Sequence, residues 1–380
     1  MNSTRLISCC LLIAAVCLSI LAFPACSVHD KVVTPSEGSS SPPKEEVPAD
    51  LGDGLLVDSP VSHGISSEDI ASMYKKAESM PFVYSVLILK DGYLVAEKYF
   101  HGKSASDSFY IASVTKSVLS SLVGLAIERG LLSLEDKMAD YFPEYVTQST
   151  SATKRTIRVK HLVGMTAGYP YDSEDARWLA WVTSPNWVQH AIEQPLVSAP
   201  GEYWFYSSGS AHILSAILTK VTKMTTRQFG EEYFFAPMNM KLRRWGQDPQ
   251  GIYLGGWDMY FSSRDLAKFG LLYLNKGLAN GKQVLSADWI AQSTMARSYT
   301  LWDWGALQNS RYGYLWWVAR IGNVESYYAE GHGGQYVMVI PSLRSVIVTT
   351  ADADNTFADG WDQSLQVGAL IANYIVNKMK

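Results

Sequence analysis

Phe109-Tyr110-Ile111-Ala112-Ser113-Val114-Thr115-Lys116-Ser117-Val118-Leu119 opens an apolar run that reads as a helix from about Ser113 to Glu128, with Gly130 as its stop. Its first turn carries a serine and, three residues on, a lysine. Positions i and i+3 share one face of a helix, so hydroxyl and amine can meet without help from a distant loop. A serine hydroxyl is a poor nucleophile at neutral pH and needs a base beside it. A lysine can serve once burial or a neighbouring charge favours its neutral form. Free backbone N–H groups at a helix start also favour negative charge.

Strand patterns lie on both sides of this helix. Val83–Leu89 and Tyr93–Phe100 flank Lys90-Asp91-Gly92, and Asp-Gly between apolar runs is a hairpin signal. Towards the other end, Tyr314–Ala319, Ser326–Ala329, Tyr336–Ile340 and Ser345–Thr350 read as strands, closed by a helix over about Gln363–Met379. Residues 135–300 are mostly helical and loop-rich, with an amphipathic helix at Arg264–Lys276. This order predicts an α/β chain of the α+β type: a central antiparallel sheet built from both ends and flanked by helices, with a mostly helical subdomain inserted. There is no internal repeat.

The chain has 380 residues, 47% hydrophobic and 18% charged, with a net charge of −4, so a sizeable core is expected and nothing points to nucleic acid. All four cysteines, Cys9, Cys10, Cys17 and Cys26, fall in the first 26 residues. Arg5, the apolar stretch Leu6–Phe23 and Pro24-Ala25-Cys26 read as a bacterial lipoprotein-type signal over 1–26, with Cys26 as the lipidation site; an uncleaved anchor or ordinary secretion is the alternative. Residues 27–60, rich in Pro, Ser and Glu, read as a flexible tether, leaving 61–380 as the folded domain at the cell envelope. Cleavage before Cys26 would leave one cysteine, hence no disulfide and no Cys-based metal site.

Six blocks in order resemble the serine β-lactamase, penicillin-binding protein and class C-type esterase superfamily over roughly residues 80–380, most of all its esterase and 6-aminohexanoate-dimer hydrolase-like members. They are Tyr110–Lys116, Ile157–Gly168, Pro200–Gly209, Phe261–Gly270, Tyr312–Trp317 and Gly331–Gln335. The resemblance implies a β-lactamase/transpeptidase-like fold, no cofactor, and an acyl-enzyme on Ser113. Lys116 would take the serine proton or keep a neighbouring phenol ionised. Tyr206 would be the general base that then protonates the leaving group. The N–H groups of Gln335 and Ser113 would form the oxyanion hole, with His332, Gly333 and Gly334 edging the pocket. His332 stands where penicillin-binding branches carry Lys, and Ser208 where Asn is usual. Both departures fit an esterase or amidase, acting on small molecules or short peptides, better than β-lactam turnover. A D-alanyl peptidase, or a penicillin-recognising sensor that acylates without efficient turnover, is the alternative.

Arg177, Trp178, Trp181 and Trp187 form an aromatic-rich stretch suited either to a lid or to helix packing. Tyr169 is a candidate donor to substrate. His161, His190 and His212 read as core histidines. Asp352, Asp354 and Asp359 lack calcium-loop spacing. There is no HExxH, CxxC or P-loop, and no G-x-S-x-G as an α/β-hydrolase requires.

Overall fold

The computed structural model describes residues 46–379 except Gln148, residues 172–175, Leu301 and Asp303. The signal segment, Cys26 and most of the tether therefore lie outside the described residues. No helix among those described is long and apolar enough to cross a membrane.

A nine-stranded sheet runs in the spatial order Leu56–Val57, Tyr93–Tyr99, Val83–Lys90, Ser345–Ala351, Gln335–Ile340, Val324–Gly331, Trp317–Ile321, Gln308–Tyr312, Ser298–Tyr299. Every pairing is antiparallel except the first. The two ends of the chain meet where Ser345–Ala351 pairs with Val83–Lys90, as the sequence pattern predicts. The central strands are covered on both sides, so they read as continuous apolar runs rather than alternating ones. Val337 and Val346 face the helix Ser263–Leu274, where Gly270 lets the backbones close in: a Cβ there would lie 2.3 Å from Val346 Cγ1. On the opposite face, the Tyr336 hydroxyl donates to the Ser364 carbonyl of the terminal helix Phe357–Tyr374.

Some boundaries differ from the sequence reading. The segment 46–60 belongs at least partly to the folded body, not the tether: Leu55 is buried, Leu56–Val57 joins the sheet, and Arg264 holds the Ala49 carbonyl. The strand predicted from Tyr314 begins only at Trp317, because Leu315 takes φ +60° in a tight turn. The terminal helix starts earlier than predicted, capped by Thr356, whose hydroxyl accepts from the Asp359 N–H. Gln308–Tyr312 is a polar strand with no apolar period to betray it.

The helix Val114–Glu128 is buried almost throughout, wedged between the sheet and the helix Ser208–Thr222. Its serines are satisfied: Ser117 and Ser120 donate to the carbonyls of Leu315 and Tyr314, each at 2.7 Å, and Ser121 pairs with the Tyr273 hydroxyl. A fully enclosed helix is a rigid mount for whatever its first turn carries.

Candidate active site

Ser113 sits at the N-cap of that helix, but its hydroxyl does not cap it. Ala112 just before it adopts φ +44°, a left-handed conformation that is costly for a side-chain-bearing residue. The strained residue turns the chain from the short strand Phe109–Tyr110 into the helix and presents Ser113 to a cavity of about 260 Å³. Lys116, 2% exposed, donates from Nζ to Ser113 Oγ at 2.9 Å and to the Gly256 carbonyl at 3.0 Å. Gly256 is crowded: a Cβ would lie 3.0 Å from Ser208 Cβ and 3.4 Å from Lys116 Nζ.

Tyr206 completes the group. The Ile157–Gly168 block places it: Gly201 N–H donates to the Thr166 carbonyl and Phe205 N–H to that of Met165. Ser207 then caps the helix Ser208–Thr222 through the Ser210 N–H. Tyr206 stacks on Trp317, has Lys116 Nζ 4.6 Å from its ring centroid, and has Ser113 close enough to act on its phenol. The structure corrects the expectation that Lys116 ionises this phenol. Burial pushes Tyr206 well above the usual tyrosine range, Tyr312 and Glu330 push the same way, and Ser113 only partly opposes them. The resting phenol keeps its proton.

Ser208 and His332 also line the cavity, the latter with Nε2 2.7 Å from Asn355 Oδ1. Five other candidates are placed elsewhere. Gln335 lies one strand further back, paired with Gly331, and its side-chain amide exchanges two hydrogen bonds with the Ala351 backbone, at 2.8 and 3.0 Å. It locks the hairpin instead of lining the cavity. Gly333 and Gly334, at φ +86° and +103°, turn that hairpin against Asp352 and Val367 instead of admitting substrate. The close approach belongs to Gly331, where a Cβ would lie 2.3 Å from the Ile111 carbonyl oxygen and 3.1 Å from Ser113 N. Tyr169 is buried away from Ser113 with its hydroxyl on the Ile192 carbonyl; two residues on, Tyr171 lines the cavity. Trp181 packs behind Trp178 and Trp257, its indole N–H on the Trp187 carbonyl, while Trp178 and Trp257 form the wall. His212, read as a core histidine, is one: Nε2 is 2.9 Å from Asp248 Oδ2, both side chains fully buried.

The sequence reading missed Glu330, Trp257, Trp302, Trp304 and Trp361, all of which line the cavity. The tryptophans come from three separated segments, and no linear pattern joins them. Glu330 did leave a signal, as the lone acid ending the apolar run Tyr327-Tyr328-Ala329 beside a glycine. Burial raises its carboxyl to about 7, against the opposing pull of Ser364 and Lys116. Among the described residues, no cluster of His, Cys, Asp or Glu is arranged to hold a metal ion.

A serine bonded to a lysine three residues on, with a buried tyrosine over both, is the signature of acyl-transfer hydrolases of the β-lactamase type, and residues 77–368 match the family described as Beta-lactamase. The chain belongs to that family of serine hydrolases. It is 26% identical over 306 residues to an uncharacterized protein of Alkalihalophilus pseudofirmus, covering 70% of this chain and 82% of that one. It is 23% identical over 302 residues to the 6-aminohexanoate-dimer hydrolase of Paenarthrobacter ureafaciens, covering 75% and 76%. The fold resembles that of the octameric penicillin-binding protein homologue from Pyrococcus abyssi, with a TM-score of 0.61 at 18% identity over 79% of this chain and 77% of that one.

Proposed function

We propose that this protein cleaves esters or amides of small molecules or short peptides through an acyl-enzyme on Ser113. The observation that carries the reading is the 2.9 Å contact of Lys116 Nζ with Ser113 Oγ beneath Tyr206, at the floor of an open cavity. In the amine form, Lys116 takes the hydroxyl proton as Oγ bonds to the substrate carbonyl carbon. The carbonyl oxygen becomes an oxyanion. Because Gly331 is pressed against Ile111–Ser113 and His332 turns into the cavity, the N–H groups of Ser113 and His332 are assigned to hold it. The bond to the leaving group then breaks, and the departing atom takes a proton from Tyr206, which burial keeps protonated until that step. Tyr206 is reprotonated from Lys116. Water repeats the sequence on the acyl-enzyme and restores Ser113.

The test is intact mass over time after exposure to a fluorophosphonate and, separately, to benzylpenicillin, with Ser113→Ala as control. A fluorophosphonate adduct absent from the control, with no lasting penicillin adduct, is expected. A long-lived penicillin adduct would replace this reading with a peptidoglycan peptidase or sensor, and no adduct with either reagent would overturn it. We also propose export to the cell envelope with a lipid on Cys26, supported by the residue pattern of 1–26. Metabolic palmitate labelling that survives Cys26→Ser would refute the anchor.

A further inference from the structure

The cavity around Ser113 is lopsided in charge. Among the described residues that line it there is one carboxylate, Glu330, and no lysine or arginine. Glu330 is 7% exposed. Its Oε1 accepts from Ser364 Oγ at 3.0 Å, and among the described residues no donor reaches Oε2. Lys116 acts on this carboxylate through space, while its Nζ donates to Ser113 and Gly256. Much of the remaining wall is indole. Trp178 and Trp257 meet at 4.8 Å between centroids, Trp304 and Trp361 at 4.5 Å, and Trp302 stands edge-on to Trp361 at 5.4 Å.

These surroundings discriminate between ligand charges. A carboxylate on the substrate would face Glu330 across a cavity that no lysine or arginine lines. An uncharged apolar group would cover the Oε2 lone pairs without a donor, which is costly. An ammonium group would donate to Oε2 and lie against indole faces, which attract cations most strongly of the aromatic rings.

On the hydrolase reading above, we infer that the substrate carries an ammonium group, seated between the Glu330 carboxylate and the tryptophan wall. This names a substrate class: amino-acyl esters or amides, or amine-terminated short peptides.

The experiment uses the full chain at pH 8, above the value of about 7 to which burial raises Glu330, and three probes of matched length: hexylammonium, hexanol and hexanoate. Binding is followed by tryptophan fluorescence and by protection of Ser113 from the fluorophosphonate, in the wild type and in Glu330→Gln. The inference expects hexylammonium to bind at least tenfold tighter than hexanol, hexanoate to bind weakest, and Glu330→Gln to bring hexylammonium to the level of hexanol. Hexanoate binding as tightly as hexylammonium would overturn it, and so would an ammonium preference that survives Glu330→Gln. Should that variant lose its near-UV circular dichroism, the wild-type order of the three probes decides alone. The two readings fail separately. Fluorophosphonate labelling with no ammonium preference sinks only the substrate class, whereas tight hexylammonium binding without labelling sinks the hydrolase.

Discussion

His212 with Asp248 and Lys116 with Glu330 are two couples of buried ionisable groups, and they differ in what encloses them. Asp248 is saturated: Oδ2 takes His212 Nε2, and Oδ1 accepts the backbone N–H groups of Gln250 and Ile252 at 2.8 and 2.9 Å. The rings of Trp181 and Trp187 close over His212. Glu330 has one oxygen engaged and the other turned to a cavity it shares with Ser113. A buried carboxylate with both oxygens engaged holds architecture together, even though His212 Nδ1 beside it has no partner among the described residues. One with an unfilled lone pair beside open space is available to a ligand. Burial alone does not separate the two; the count of partners does.

The largest effect should come from the open couple. Lys116→Ala should abolish acylation by fluorophosphonate about as fully as Ser113→Ala, and the double variant should be no worse than either single one, since residues acting as a unit are not additive. Labelling kinetics by intact mass check this, and near-full activity in Lys116→Ala would break the contrast at its root. Tyr206→Phe keeps the ring on Trp317 but removes the transferable proton. Turnover of an ester with a poor leaving group should fall by roughly 10²–10⁴, and much less for an ester whose leaving group needs no proton.

The sealed couple should respond in stability instead. His212→Ala leaves Asp248 buried without its ring partner, and the loss should be about 3–5 kcal/mol by urea unfolding, with the labelling rate of Ser113 in the surviving folded protein changed only a few-fold. A large loss of labelling with unchanged stability would reverse the assignment of the two couples.

Glu330 sharpens the contrast through pH. Burial raises its carboxyl from the ordinary 4.5 to about 7, while Ser364 and Lys116 pull it down. The tyrosines Tyr206, Tyr312, Tyr328 and Tyr336 share its field, and their own phenols are pushed up in turn. Between about pH 4.5 and 7 the folded protein therefore keeps a proton that the unfolded chain has released. The unfolded state binds fewer protons, so stability falls as pH rises through that window and stays lowered above it. Glu330→Gln removes this cost. Relative to wild type, the variant should show a gap in stability that opens in its favour from pH 4 to pH 8, on the order of 3 kcal/mol. A gap that does not change with pH would refute the burial of the charge. The smallest effect belongs to Tyr169→Phe, which loses one hydrogen bond to the Ile192 carbonyl. It should cost about 1 kcal/mol and leave hydrolysis unchanged.

Local spacing was enough to read Ser113 with Lys116, because a helix brings i and i+3 together whatever surrounds it. Alternation and the Asp91-Gly92 turn were enough for the first hairpin, and the end-to-end order of strands for the antiparallel sheet. Tyr206 was legible through its neighbours: Pro200-Gly201 before it and Ser207, a helix cap, after it. The third block was misread by a few residues. Gly333 and Gly334 look like the places where substrate comes close, yet they serve the turn, and Gly331 makes the approach to Ser113. A string of glycines shows that backbone must pass near something, without saying what.

The sequence by itself thus determined the helix that carries the nucleophile, an antiparallel sheet built from both ends of the chain and the chemical class of the reacting group. Only the tertiary structure decided which aromatics face Ser113 and which stand behind them. Tyr169 and Tyr171, or Trp178 and Trp181, differ in side and not in type, and side is set by packing against elements as distant as Trp257 and Trp302. The same holds for the protonation of Tyr206 and Glu330. Both depend on how completely water is excluded, and no residue carries that information alone.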